Sequence, residues 1–171
     1  MKTLFSYSIL LLSILVVYLS SCSKEDEISV TYKQICSEWE VTDIQFSLSI
    51  GGQDFVDFLI NMYGMTEEEA QIVLEANETA YRESWTGTMH FKQDGTYEFN
   101  VGGEYYSNNW YLSDDEKTIH VFYHGYYVDF RIVSVDDNTM YLRFDQIYYV
   151  DVNSDGNKEA IAYMNDFTLE K

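Results

Sequence analysis

Met89-His90-Phe91-Lys92-Gln93-Asp94-Gly95-Thr96-Tyr97-Glu98-Phe99-Asn100-Val101-Gly102-Gly103 is the stretch that decides the fold. Met89 and Phe91 alternate with His90 and Lys92, and Tyr97, Phe99 and Val101 alternate with Glu98 and Asn100. Successive side chains of a strand point to opposite faces, so each arm reads as a strand with one apolar side. Asp94-Gly95 between them is a hairpin turn signal, because glycine adopts the positive φ that a tight turn demands. The stretch predicts an antiparallel hairpin whose apolar face must be covered.

The same pattern extends in both directions. Upstream, Trp39, Val41, Ile44 and Phe46 mark a first strand region ending at Gly51-Gly52. Downstream, further strands are expected over 105–112, 118–124, 126–135, 139–150 and 159–169. Ser113-Asp114-Asp115-Glu116, Gly125 and Asp136-Asp137-Asn138 separate them. An aromatic content of 17%, with 16 tyrosines and no proline, favours strands. One region breaks the pattern. Residues 54–63 carry Phe55, Phe58, Leu59 and Met62 at helical spacing. After Gly64, Thr66 stands three before Glu69 as a capping box. Ala70, Val73, Leu74, Asn77 and Tyr81 then line one face of a second helix. Eight sequential antiparallel strands with one apolar face each close into an up-and-down barrel, which removes exposed edges. The expected fold is mainly β: an eight-stranded antiparallel barrel with a two-helix insertion between its first two strands.

Trp39 on an early strand, Phe91-Lys92-Gln93-Asp94-Gly95-Thr96-Tyr97, and Trp110-Tyr111-Leu112 carry a family resemblance. Across residues 34–171 the chain resembles the lipocalin-like domains of Bacteroidota-type lipoproteins. Lipocalins proper have Gly-x-Trp on the first strand, where this chain has Ser37-Glu38-Trp39. The resemblance implies a barrel that binds a ligand or assists another protein.

The N-terminus has a different character. Lys2, an apolar run over 9–17 and Leu19-Ser20-Ser21-Cys22 have the order of a secretory signal. The run falls short of the roughly 20 apolar residues of a spanning helix. Leu19-Ser20-Ser21-Cys22 resembles the lipobox of bacterial lipoproteins, in which the cysteine is acylated with palmitate-type chains and becomes the new N-terminus. Two or more acyl chains anchor stably, where one is marginal. Ser23-Lys24-Glu25-Asp26-Glu27 is similar to the acidic tract of lipoproteins exported to the surface of Bacteroidota-type bacteria, and it also reads as a solvated tether. The expectation is a signal peptide over 1–21, an acidic tether over 22–33 and a barrel over 34–171. The protein is then anchored at Cys22 in the outer membrane and faces outward.

Removing residues 1–21 takes away Lys2, leaving 29 acidic against 9 basic residues, a formal charge of −20. That field repels phosphate backbones, so nucleic acid is not an expected partner. It also opposes a folded face lying on anionic lipid, so membrane contact is expected through the lipid alone. With Cys22 acylated, Cys36 has no intramolecular partner, and it reads as a half-buried small hydrophobe rather than a nucleophile.

Asp151-Val152-Asn153-Ser154-Asp155-Gly156-Asn157-Lys158-Glu159 is the strongest local motif. Oxygen ligands at alternate positions around a glycine turn suit calcium. Asp151, Asn153, Asp155 and Glu159 would bind by side chain and Asn157 by its carbonyl. Strands flank the loop, which excludes a helix–loop–helix hand and leaves a calcium turn or a solvated polar turn. His120 and His124 share a strand face but stand roughly 13 Å apart at 3.3 Å per residue, too far for one zinc; His90 is the third histidine. Asp114-Asp115 and Asp136-Asp137 are adjacent on turns and do not converge on one bond. No Gly-x-Ser-x-Gly, phosphate loop or dinucleotide fingerprint occurs. The expected function is therefore that of a non-enzymatic binding or accessory module, with a small molecule, glycan or protein as the partner; the alternative is a structural or protein-interaction surface protein with a filled barrel. Tyr105, Trp110, Tyr111, Tyr123, Tyr126 and Tyr127 are expected on one face, where rings stack on sugars or lipids, line a pocket, or fill the barrel.

Overall fold

The computed structural model describes residues 28–123 and 125–171. The signal segment, Cys22, residues 23–27 of the acidic tract and His124 lie outside the described residues.

The elements run α1 (Val30–Ile35), β1 (Glu38–Ile50), β2 (Gln53–Asp54), α2 (Phe55–Tyr63), α3 (Glu67–Trp85), β3 (Gly87–Phe91), β4 (Thr96–Val101), β5 (Glu104–Leu112), β6 (Thr118–Tyr123), β7 (Tyr126–Val135), β8 (Thr139–Val150) and β9 (Glu159–Glu170). The sheet order is β2-β1-β3-β4-β5-β6-β7-β8-β9, and β1 also pairs with β9. Eight antiparallel strands thus form a closed barrel, with β2 as a two-residue addition at the lip. Val41 faces Leu169, Ile44 faces Phe167 and Ile50 faces Ile161 along the closing seam. A register shift between Val41 and Asp43 lets Val41 and Ile44, three apart, both point inward.

Both helices of the insertion begin where the sequence indicates. Asp54 caps α2 by accepting from the Val56 amide, and Gly64 ends it in the left-handed conformation. Thr66 and Glu69 make the reciprocal capping box at the start of α3, worth about 1 kcal/mol.

Helix α1 is a feature the sequence reading missed. Residues 29–33, assigned to the tether, are folded onto the barrel: Ser29 caps α1, and Tyr32 stacks on Trp110 at 4.9 Å and 16°. Ile35 is fully buried, and its carbonyl accepts a 2.9 Å hydrogen bond from Trp39 Nε1. Six residues are too few for periodicity to reveal, and the tertiary contacts hold the helix. It closes the lower end of the barrel.

The upper end is unequal. β1, β8 and β9 have 12 or 13 residues where β3, β4 and β6 have five or six. The long strands therefore overhang by roughly 20 Å of extended chain. Helices α2 and α3 cover this overhang, burying Phe55, Phe58, Leu59 and Ala70 against Leu48 and Ile50. Below it, Trp39, Met89, Phe91, Phe99, Phe130, Leu142 and Phe167 fill the barrel. Each fully buried ring or aliphatic chain contributes about 1.5–3 kcal/mol.

Candidate functional site: the aromatic mouth of the barrel

The last turns of α3 lead into the top of the filled core. Trp85 lies 5.4 Å from Phe167, 6.1 Å from Phe130 and 6.4 Å from Phe144, ring centroid to ring centroid. Two glycines permit this seat. A Cβ on Gly87 would stand 1.9 Å from the Asn100 carbonyl oxygen, and one on Gly102 would stand 2.7 Å from that of Ser84. The end of α3 is therefore pressed against the β4–β5 turn, where no larger residue fits.

Above Trp85 a pocket of about 170 Å³ remains. Tyr81 and Trp85 of α3 form one wall. Tyr123, Tyr126 and Val128, at the top of β6 and β7, form a second, and Phe144, Gln146 and Tyr148 of β8 form the third. Among the described residues, no charged side chain lines it. Tyr126 and Tyr148 are half-exposed at the rim. Burial pushes the phenol of Tyr81 well above the usual tyrosine range, and the neighbouring Tyr148 and Tyr163 add to the shift. Burial also raises Tyr123, with the hydrogen bond to Tyr106 as the next cause. These phenols are neutral at physiological pH. Among the described residues, the Tyr81 hydroxyl and Asn165 Oδ1 are buried without a hydrogen-bond partner; Asn165 lies between Phe46 and Phe144 in the sheet register.

The tyrosines expected on one face are in fact divided. Trp110 points inward and is buried, while its neighbour Tyr111 points outward. Tyr105 and Tyr127 also lie outside, and Tyr123 and Tyr126 belong to the mouth. Strict alternation requires this, since adjacent residues of a strand cannot share a face. On the outside, Tyr111 stacks on His120 at 4.5 Å and meets Tyr127 edge-on at 5.4 Å, making a small aromatic patch.

The Asp151–Glu159 turn holds itself together through its own oxygens. Asp151 accepts from the Asp155 and Gly156 amides, Asn153 from the Asp155 amide, Asp155 from the Asn157 amide and Glu159 from the Val152 amide. The Asn157 N–H holds the Asp155 carboxyl below its usual range. Among the described residues, no three His, Cys, Asp or Glu side chains form a metal-holding group. His120 pairs instead with Asp129 at 2.7 Å. His90, on β3, is separated from it by β4 and β5, roughly 14 Å at sheet spacing. Cys36 is half-buried beside Tyr32, and burial pushes its thiol up, opposite to the direction an activated nucleophile requires.

Two further hollows lie outside the barrel. One, of about 360 Å³, is bounded by Tyr32, Leu112, Asp114 and Glu116, and by Ile28, the first described residue. The other, of about 280 Å³, lies between α2 and the upper strands and is bounded by Ile50, Phe58, Met62 and Glu159. Neither gathers aromatic rings as the mouth does. No helix among the described residues is long and apolar enough to cross a membrane.

No protein-family model and no curated protein matches the chain. Among solved structures, the chain is similar to a DUF4847 family protein from Bacteroides vulgatus. The two are 13% identical, the match covers 79% of this chain and 96% of that one, and the TM-score is 0.39. A likeness that loose bears on neither mechanism nor ligand.

Proposed function

We propose that this protein is a non-enzymatic, lipocalin-like binding module. It is lipid-anchored at Cys22, faces outward from the outer membrane, and holds a small ligand at the mouth of its barrel. The observation that carries the reading is the convergence of six aromatic rings, from α3, the β6–β7 end and β8, on one pocket whose described lining carries no charge. Uncharged concavities with a few polar groups are the usual form of small-molecule sites. The mouth, not the barrel interior, takes this role because core side chains occupy the interior. Nuclear magnetic resonance with a set of neutral, cationic and anionic fragments tests it. The Trp85 indole and the Tyr126 and Tyr148 rings should shift with at least one class. A set that leaves all three unmoved refutes the mouth as a ligand site.

Anchoring rests on the signal segment and Leu19-Ser20-Ser21-Cys22. Mass spectrometry of protein from intact cells should find an acylated chain beginning at Cys22, and an unmodified thiol there refutes anchoring. Calcium at Asp151, Asn153, Asp155, Asn157 and Glu159 is a further part of this proposal, supported by the residue spacing. A second reading, in which a protein or glycan docks outside, is favoured by the exposed Tyr111–His120–Tyr127 patch. Tyr111→Ser with Tyr127→Ser should abolish that docking and leave the mouth unaffected.

A further inference from the structure

We propose that the mouth pocket is an aromatic cage for a methylated ammonium group of the trimethylammonium type, as in choline. The inference rests on the mouth being a ligand site and specifies the ligand's chemistry. Three features of the pocket lead to it.

The first is the lining. Tyr81 and Trp85 stand one helical turn apart with ring centroids 6.4 Å apart at 44°, and Trp85 meets Phe144 at 6.4 Å and 58°. Tyr126 and Tyr148 complete the rim from two other elements. Rings placed on several sides of one volume and inclined to one another are the lining that attracts a cation through the ring quadrupoles.

The second is charge. Among the described residues, no lysine, arginine or histidine lines the pocket to receive an anion, and the chain carries a formal charge of −19, which repels anions and draws cations. No carboxylate of the described residues lines it either. A primary ammonium would have to give up strong hydration without a hydrogen-bonding counter-charge. A quaternary ammonium has no N–H to satisfy and sheds its water more easily, so aromatic faces are enough.

The third is size. A drug-sized ligand needs roughly 300–1,000 Å³. The 170 Å³ here suits a compact headgroup whose remaining atoms extend past the half-exposed Tyr126 and Tyr148 into solvent. The neutral Gln146 amide joins the tyrosine hydroxyls as a polar group on the wall, able to donate to a hydroxyl or ester oxygen on such an extension.

The same headgroup occurs free in solution and on lipids, and the two sources are separable. The purified processed protein, beginning at Cys22, is titrated with choline chloride, and separately with 3,3-dimethylbutan-1-ol, which has the same shape and no charge. Both titrations are done in 150 mM sodium chloride to screen diffuse attraction to the acidic surface, and followed by Trp85 resonances and calorimetry. Choline should bind at least tenfold more tightly than the alcohol. Tyr126→Ala with Tyr148→Ala should abolish that preference, and both rings are half-exposed, so the fold is retained. Trp85→Phe should keep it, as a ring remains. Sedimentation with phosphatidylcholine vesicles assigns the source, read as the part of the binding that Tyr126→Ala with Tyr148→Ala removes, because an acyl anchor at Cys22 binds any vesicle: such a loss marks a lipid headgroup, and binding of free choline alone marks a soluble ligand. Equal binding of choline and alcohol overturns the cation cage while leaving the mouth as a ligand site. Silence from both overturns the cage, and the mouth itself falls only if the fragment set is silent too.

Discussion

Replacing Trp85 with alanine tests whether the insertion is anchored through the barrel core. α3 buries only Ala70 completely, so its hold on the barrel depends on a few large side chains near its end. Trp85 touches the rings of Phe130, Phe144 and Phe167, edge-on or tilted. Each such pair contributes about 0.5 kcal/mol or more beyond area. The half-buried indole adds about 1.5–2 kcal/mol of apolar burial. The sum is about 3 kcal/mol, at the lower end of tryptophan-to-alanine losses. If that energy is lost mainly from the closed state of α3, the local opening constant rises on the order of a hundredfold, at 1.4 kcal/mol per tenfold. Native-state hydrogen exchange should show α3 amides losing protection first, while amides of the β1–β9 seam change only with global stability. Urea unfolding should give a lower midpoint at unchanged slope. Trp85→Phe should recover about half of the loss. A fall of less than tenfold in α3 protection would show that the Trp85 contacts do not anchor the helix.

Other expectations follow from single contacts. Asn165→Leu exchanges a long 3.3 Å hydrogen bond to the Phe144 carbonyl for relief of the unpartnered Oδ1, and should stabilise by about 1–2 kcal/mol; a lower urea midpoint would show that Oδ1 is satisfied by a bound water. Truncation after Val150 removes β9 and leaves both β1 and β8 as open edges, so light scattering should detect aggregation, and a soluble cooperative fold would contradict the role of the seam. Arg143 grips Asp166 across β8 and β9 and lowers its carboxyl pKa. The resulting stability is present above the ordinary carboxylate pKa and is lost as pH falls through that range toward the depressed value. Because both side chains are about a third exposed, it amounts to under about 1 kcal/mol, and Asp166→Asn should flatten the acid limb of a melting-temperature profile. If the Asp151–Glu159 turn binds calcium, saturation at about 100 times Kd should add roughly 2.7 kcal/mol. The gain should vanish in Asp151→Asn with Asp155→Asn, and equal melting in calcium and chelator refutes the site.

Local chemistry by itself determined the strands, the turns and the number of barrel staves. Alternation in 89–101 depends only on the two-residue period of a strand, and Thr66 with Glu69 only on the free amides at a helix start. Closure followed because eight one-sided strands have few ways to hide their edges, and the β1–β9 seam is that solution. Tertiary structure alone decided what lies inside. No periodicity places Tyr81 opposite Tyr126 and Tyr148, because their meeting depends on the register of strands far apart in sequence and on α3 reaching down over Gly87 and Gly102. The short helix α1 escaped notice for the same reason, since Trp39 and Trp110 hold it rather than its own propensity. The overhang of β1, β8 and β9 likewise reflects which strands find partners along their full length. Local sequence can specify which face of a strand is apolar; only the assembled barrel specifies which apolar faces meet.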